Sequence, residues 1–171
     1  MPAINRDGGD GFKRKVLPMV AHSVRTAAAA VASLLVARLF RLPEAYWAPI
    51  TTLVITQSSL GAALAVSWQR FLGTVLGAAV GAVVARYFGP QVLVFGAGVF
   101  VLGLLSAAAR SDRSAYRFSG ITLAIVILVP RTASPSQIAL HRCAEVFIGI
   151  GVALILTVLW PETEAPPAGK A

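Results

Sequence analysis

A small group of ionisable side chains lies within an apolar stretch near the C-terminal end of this sequence. Arg142 and Glu145 are one helical turn apart and can form an ion pair, and the spacing of four between His141 and Glu145 also allows contact. Glu145 is the only acidic residue inside a predicted apolar span. A carboxylate within a membrane is a candidate for proton or ion transfer. A salt bridge that neutralises itself near the membrane surface is the open alternative.

A second basic position lies in the first apolar run. Arg25 would lie about 12 Å into a helix that begins near Leu17, and His22 is on the same face. Burying a guanidinium in lipid costs at least about 2.5 kcal/mol. Arg25 therefore either snorkels to the membrane surface or faces a hydrated cavity. His22 can titrate near neutral pH, although a lone histidine near an interface is more often simply solvated.

Glycines recur every four residues behind a third arginine. Gly73, Gly77 and Gly81 share one helical face with Arg70. In water each interior glycine costs roughly 1 kcal/mol relative to alanine, whereas in lipid a stripe of glycines lets a neighbouring helix pack closely. Gly149 lies on the same helical face as Arg142 and Glu145. These four glycines are predicted helix-packing positions.

The second apolar run, AYWAPITTLVITQSSLG, carries an aromatic residue and several polar ones. Trp47 is of the type that lies at membrane interfaces. Thr51 and Gln57 represent the polar side chains of the run. They either hydrogen-bond to neighbouring helices, which is the commoner use, or line a path for an organic anion.

Composition indicates an all-α, polytopic membrane protein. Of the 171 residues, 57% are hydrophobic and 13% charged, and the mean hydropathy is +0.76. The net charge of +8 is spread over the ends of apolar runs, which argues against a nucleic-acid partner. Cys143 is the only cysteine, and no zinc spacing, catalytic triad or nucleotide-binding loop is recognisable. We therefore expect no enzyme activity, no metal and no cofactor.

Six spans fit into a chain of this length, since each crossing takes about 20 helical residues. Lysine and arginine fall mainly on the side that both termini share, which predicts cytoplasmic termini in the cell membrane. A cytoplasmic basic tail (1–15), a membrane domain (16–160) and a disordered C-terminal tail (161–171) complete the prediction. The predicted spans are about 16–39, much of 45–64, 67–86, about 91–109, 116–129 and about 136–160.

An internal repeat is predicted within the membrane domain. Placing residues about 70 to 72 positions apart pairs Arg70 with Arg142 and Gly77 with Gly149. Because each copy has three spans, the second copy must enter the membrane inverted, as in many transporters. Chance alignment of apolar spans is the alternative. The predicted halves are 16–89 and 90–160.

The segments AHSVRTAAAAVASLLVARLF, LPEAYWAPITTLVITQSSLGAAL and WQRFLGTVLGAAVGA resemble the FUSC family of fusaric acid resistance-like and aromatic acid exporter membrane proteins. The resemblance covers about residues 20–160. It implies a six-span module that exports or conducts organic anions, often aromatic carboxylates. Arg25, Trp47, Arg70 and Gly77 fall on the family's pattern. The chain lacks the cytosolic domain and second membrane module of the larger exporters, which predicts self-association as a homodimer.

Two functions follow as expectations. The first is transport of organic anions across the cytoplasmic membrane by a homodimer, in which arginines attract the substrate's carboxylate and Glu145 carries protons if transport is proton-coupled. The second is a membrane module that transports nothing and binds a partner protein, with its arginines serving lipid headgroups and topology. The lipid bilayer is a partner in both.

Overall fold

The computed structural model describes residues 7–56, 59–110, 112–129 and 133–160, with side chains described from residue 16 onward. This part of the chain folds into six α-helices and contains no strand, so the all-α prediction is confirmed for it. The helices are α1 (Asp7–Leu39), α2 (Trp47–Ile55), α3 (Leu60–Phe88), α4 (Val92–Ala108), α5 (Arg113–Leu128) and α6 (Pro135–Leu159).

The helices differ in their ability to cross a bilayer. Among the described residues, three segments are long and apolar enough by length and composition: Val16–Leu39 of α1, α3 and α6. The apolar helix α4 has 17 residues and α5 has 16. Helix α2 has nine residues, a length of about 14 Å, which is roughly half of a hydrocarbon core.

The predicted second span, 45–64, is wrong as a continuous helix. Helix α2 ends at Ile55, and Thr56 leaves the helical conformation while its hydroxyl donates to the carbonyl of Thr52 at 2.7 Å. The hydroxyl of Ser59 then caps the start of α3 by accepting a backbone N–H bond at 3.3 Å. Short hydroxyl side chains offer backbone groups an alternative to helical bonding, which explains the interruption.

Helix α1 ends in a Schellman motif. Arg41 has a left-handed backbone conformation with φ of 53°. Its N–H donates to the carbonyl of Arg38 at 2.9 Å, and the N–H of Leu42 donates to the carbonyl of Ala37 at 3.2 Å. These bonds satisfy carbonyls at the helix end, and Pro43 prevents the helix from continuing. The chain therefore turns sharply from α1 into the approach to α2.

The two terminal segments are only partly described. Helix α1 begins at Asp7, within the segment predicted as a basic tail. The predicted C-terminal tail, 161–171, lies outside the described residues.

Successive helices run in opposite directions. Helices α1, α3 and α5 point one way and α2, α4 and α6 the other, as shown by which residues meet along each pair of helices. Direct contacts are Arg25–Thr157 (α1, α6), Thr52–Gly149 (α2, α6), Gly73–Ala115 and Gly81–Val126 (α3, α5), and Gly98–Leu123 and Gly103–Tyr116 (α4, α5). Residues that share a hydrophobic cluster are Ala37 and Ile148 (α1, α6), Ile55 and Ala153 (α2, α6), and Ala63 with Ala153 and Ala78 with Ala139 (α3, α6).

Helix α3 packs on α5 through its glycine face. A Cβ at Gly77 would overlap the backbone carbonyl of Ser119, and one at Gly73 would overlap the carbonyl of Ala115. At Gly81 the nearest side chain, from α5, would be 3.0 Å away. The missing side chains allow backbone-to-backbone approach, which gives dense van der Waals contact where no hydrophobic effect drives helices together.

Helix α6 packs on α2 through Gly149. A Cβ at this position would lie 2.5 Å from the carbonyl oxygen of Ala48 and 2.6 Å from the Cβ of Thr51. The hydroxyl of Thr52 donates to the carbonyl of Gly149 at 3.1 Å. The short helix α2 is thus held against α6 by close packing and a direct hydrogen bond.

Substitution of Gly77 by alanine should destabilise the bundle. We expect Gly77→Ala to lower the free energy of unfolding by about 1–3 kcal/mol, because overpacking at the Ser119 carbonyl exceeds the gain in helix propensity. The matched control is Gly96→Ala in α4, where a Cβ would meet nothing within 4 Å. Denaturation in detergent micelles, followed by circular dichroism, measures both. Equal stability of the two variants would contradict close packing of α3 on α5.

Candidate functional site

The helix bundle buries three arginines. Arg25 is 1% exposed, Arg70 is 4% exposed and Arg142 is 1% exposed. An arginine that snorkels along the bundle surface keeps its guanidinium outside the protein, whereas these side chains are covered by neighbouring helices. All three cations therefore face the interior of the bundle.

Arg142 on α6 lies between a carboxylate and an aromatic ring. Its Nη1 donates to Oε2 of Glu145 at 3.1 Å, and Glu145 is 0% exposed. Its Cζ is 4.0 Å from the ring centroid of Trp47, the first residue of α2. Such a contact is favourable because the ring face attracts a cation. The Nε1–H of Trp47 donates a hydrogen bond to Oε2 of the half-buried Glu44 at 3.0 Å.

Arg70 on α3 has different surroundings. Its Nη2 donates to the hydroxyl of the buried Thr51 at 3.2 Å, and its Cζ is 4.7 Å from the ring centroid of Phe118 on α5. The buried Nε has no hydrogen-bond partner. Among the described residues, no carboxylate forms a salt bridge with Arg70.

Arg70 and Arg142 belong to one cluster. Their partners Thr51 and Trp47 are one turn apart on α2. We call this set the paired-arginine cluster, and its members are Trp47, Thr51, Arg70, Phe118, Arg142 and Glu145. It contains two guanidiniums and one fully buried carboxylate, which pairs with Arg142, and Glu44 is half-buried beside Trp47. A buried guanidinium in a medium of low dielectric constant attracts an anion strongly.

Arg25 lies apart from this cluster. Its Nη2 donates to the hydroxyl of Thr157 at 3.2 Å. Thr157 lies about 22 Å from Arg142 along the axis of α6. Ile55, the last residue of α2, belongs to a hydrophobic cluster with Ala153 of α6, one helical turn before Thr157. His22 is half-buried beside Arg25, with its Nε2 3.5 Å from the hydroxyl of its neighbour Thr26.

The structure thus unites some of the predicted site residues and separates others. It brings together Trp47, Thr51, Arg70, Arg142 and Glu145, and it leaves Arg25 and His22 at a second position. Gln57 lies outside the described residues.

Sequence reasoning missed two residues of this region. Glu44 precedes Trp47 by three positions, a spacing that allows side-chain contact at a helix start. Phe118 follows Trp47 by 71 residues (118 − 47 = 71), within the interval of about 70 to 72 of the predicted repeat. Either signal was available in the sequence.

An open groove of about 550 Å³ lies beside the cluster, between α3, α6 and the turn that follows α1. Its lining is largely apolar and contains none of the three buried arginines. Phe71 and Phe147 meet there edge to face, with ring centroids 6.1 Å apart. This groove does not supply a hydrated passage to the arginines.

The match to known families decides what kind of protein this is. A family model described as fusaric acid resistance protein-like matches residues 29–156, which is most of the chain. The chain belongs to this family. Membership and the three apolar helices together identify a helical membrane protein.

Two curated relatives of this family member are informative. The inner membrane protein YeeA of Escherichia coli (strain K12) is 30% identical over 150 residues, covering 84% of this chain and 41% of YeeA. The p-hydroxybenzoic acid efflux pump subunit AaeB of Salmonella paratyphi A is 27% identical over 157 residues, covering 82% of this chain and 24% of AaeB. The chain therefore spans less than half the length of these relatives. No solved structure matches it.

The described residues show no cluster of three or more histidine, cysteine or acidic side chains that could hold a metal ion. The functional groups of the paired-arginine cluster are therefore guanidiniums, a hydroxyl, aromatic rings and one buried carboxylate.

Removal of Arg142 should be strongly destabilising. We expect Arg142→Gln to lower the free energy of unfolding by about 3–5 kcal/mol, because Glu145 would remain buried without its cation. The control Arg86→Gln changes an exposed arginine in the last turn of α3 and should alter stability by less than about 0.5 kcal/mol. Denaturant titrations in detergent test this. Wild-type stability of Arg142→Gln would show that the buried pair is not formed.

Proposed function

We propose that this chain is a membrane transport module that moves organic carboxylates past the paired-arginine cluster. The observation that carries the proposal is the environment of Arg70. Its guanidinium is buried and has no acidic partner among the described residues. It donates to Thr51, which is one turn of α2 from Trp47, the ring that covers the buried Arg142. Charged side chains inside a membrane bundle typically mark substrate or ion pathways.

The chemistry of the cluster favours an aromatic carboxylate. A guanidinium offers a planar set of donors that matches a carboxylate and can bind it through two hydrogen bonds. The rings of Trp47 and Phe118 lie next to the two guanidiniums and offer faces or edges to an aromatic substrate. The compound for which the relative AaeB is named, p-hydroxybenzoic acid, combines these same two groups.

The proposal includes six crossings arranged as two inverted repeats. Recurring contacts support it: Gly77 of α3 lies on the carbonyl of Ser119, and Gly149 of α6 lies on the carbonyl of Ala48. The alternating helix directions agree with six crossings. A cation-π contact also recurs in each half, from the arginine of α3 to α5 and from that of α6 to α2.

The short helix α2 fits this arrangement. Transporters with inverted repeats commonly place interrupted helices at their binding sites, where irregular backbone is covered by protein. Helix α2 begins at Trp47 and carries Thr51, so the interrupted segment is the one that contributes to the cluster. Cytoplasmic termini and a homodimer belong to the same proposal.

Flux measurements test the function. In proteoliposomes that contain the purified protein, we expect uptake of radiolabelled benzoate, and we expect Arg70→Ala and Arg25→Ala each to abolish it without unfolding the protein. Arg86→Ala, at an exposed position, serves as the control. Wild-type flux in both mutants would refute the roles of the arginines. Absence of flux in the wild type for every anion tested would favour the non-transporting module.

Cysteine labelling tests the topology. Single cysteines are introduced by Pro90→Cys, Arg113→Cys and Ala133→Cys, all at exposed positions, in a Cys143→Ser background. In intact cells, a membrane-impermeant maleimide should label positions 90 and 133 but not position 113, because helix directions alternate between them. Labelling of all three positions would contradict the proposed crossings.

A further inference from the structure

The two halves of the paired-arginine cluster differ in the residue that follows each arginine by three positions. Arg142 follows Arg70 by 72 residues (142 − 70 = 72), and Gly149 follows Gly77 by the same interval (149 − 77 = 72). This alignment sets Glu145 against Gly73. The half-site of Arg70 therefore has a glycine, packed on α5, where the half-site of Arg142 has a buried carboxylate.

Glu145 presents the same functional group that the proposed substrate carries. Its Oε2 accepts a hydrogen bond from Arg142 at 3.1 Å, and both side chains are covered by the bundle. The guanidinium of Arg142 also lies over the ring of Trp47 at 4.0 Å. An incoming carboxylate that is to bind Arg142 fully must therefore compete with Glu145.

We infer that Glu145 is a tethered competitor, which occupies Arg142 in the absence of substrate and is displaced by the substrate's carboxylate. The inference rests on the proposed function and adds regulation of the same site. Arg70, which has no acidic partner among the described residues, is the point of first contact. Displacement of Glu145 from Arg142 completes binding.

Competition of this kind makes release possible. A bare buried guanidinium would hold a carboxylate too tightly for turnover, whereas conduction requires binding that is favourable but readily reversed. Exchange of one carboxylate for another keeps Arg142 paired, whereas the displaced Glu145 carboxylate loses its cation, and this cost opposes substrate binding and favours release. Glu145 thus weakens apparent affinity and speeds release.

Isothermal titration of the purified full chain with benzoate tests the inference. We expect Glu145→Gln to bind benzoate about tenfold more tightly than the wild type, because the fraction of Arg142 available to the ligand rises. Benzyl alcohol, which has the ring without the charge, should bind both proteins equally. In proteoliposomes the same variant should show a lower maximal rate of benzoate flux.

Two further variants keep the test decisive. Glu145→Asp retains the charge but shortens its reach, and we expect a smaller gain in benzoate affinity. The double variant Arg142→Gln/Glu145→Gln removes both charges and should not show the increased benzoate affinity expected of Glu145→Gln. Equal or weaker benzoate binding in Glu145→Gln, or in Glu145→Asp should the first variant not fold, would overturn the inference.

Failure of the inference is distinguishable from failure of the proposed function. If Glu145 has only a structural role, its variants bind benzoate no more tightly, while wild-type flux and its dependence on Arg70 persist. If the proposed function is wrong, the wild type itself shows no benzoate flux.

Discussion

Positive charge buried within a membrane protein is the constraint on which this structure depends. A guanidinium in hydrocarbon must be covered by protein and given hydrogen-bond or ring partners, since lipid supplies none. The bundle meets this requirement with hydroxyls for Arg25 and Arg70, aromatic rings for Arg70 and Arg142, and a carboxylate for Arg142. These partners come from α2, α5 and α6.

Close backbone approach makes such coverage possible. The glycine face of α3 brings α5 near enough for Phe118 to reach Arg70, and Gly149 of α6 brings α2 near enough for Trp47 to reach Arg142. Larger residues at the glycine positions would separate these helices and withdraw the rings from the cations. Packing and the electrostatics of the cluster are therefore coupled. The glycine face of α3 and Gly149 of α6 each determine a helix-helix distance and, with it, the contact between an arginine and an aromatic ring.

The sequence predicts much of this arrangement. Composition and apolar runs indicate an all-helical membrane protein, and helical spacing places Arg70 with Gly77, and Arg142 with Glu145, on common faces. These are properties of a single helix, for which periodicity is a reliable guide. The end of α1 near Pro43 is equally readable, because proline disfavours helix at the residue before it.

The remaining features depend on contacts between helices or on local hydrogen bonds. The break after Ile55 escapes prediction because the run 45–64 is apolar overall, and only the local hydrogen bonds of its hydroxyl residues end the helix. The separation of Arg25 from Arg70 also cannot be predicted from the sequence, since it depends on the axial position of α1 relative to α6. Periodicity gives the face of a residue but not its depth relative to another helix.

The central claim is that the paired-arginine cluster receives a carboxylate inside the bundle. Anomalous diffraction from crystals of the protein with 4-bromobenzoate tests it most directly, because the bromine marks the ligand independently of the protein. The account predicts a bromine peak beside Trp47 or Phe118, with the carboxylate on Arg70 or Arg142. A peak confined to the apolar groove between α3 and α6, with both guanidiniums unchanged, would contradict it.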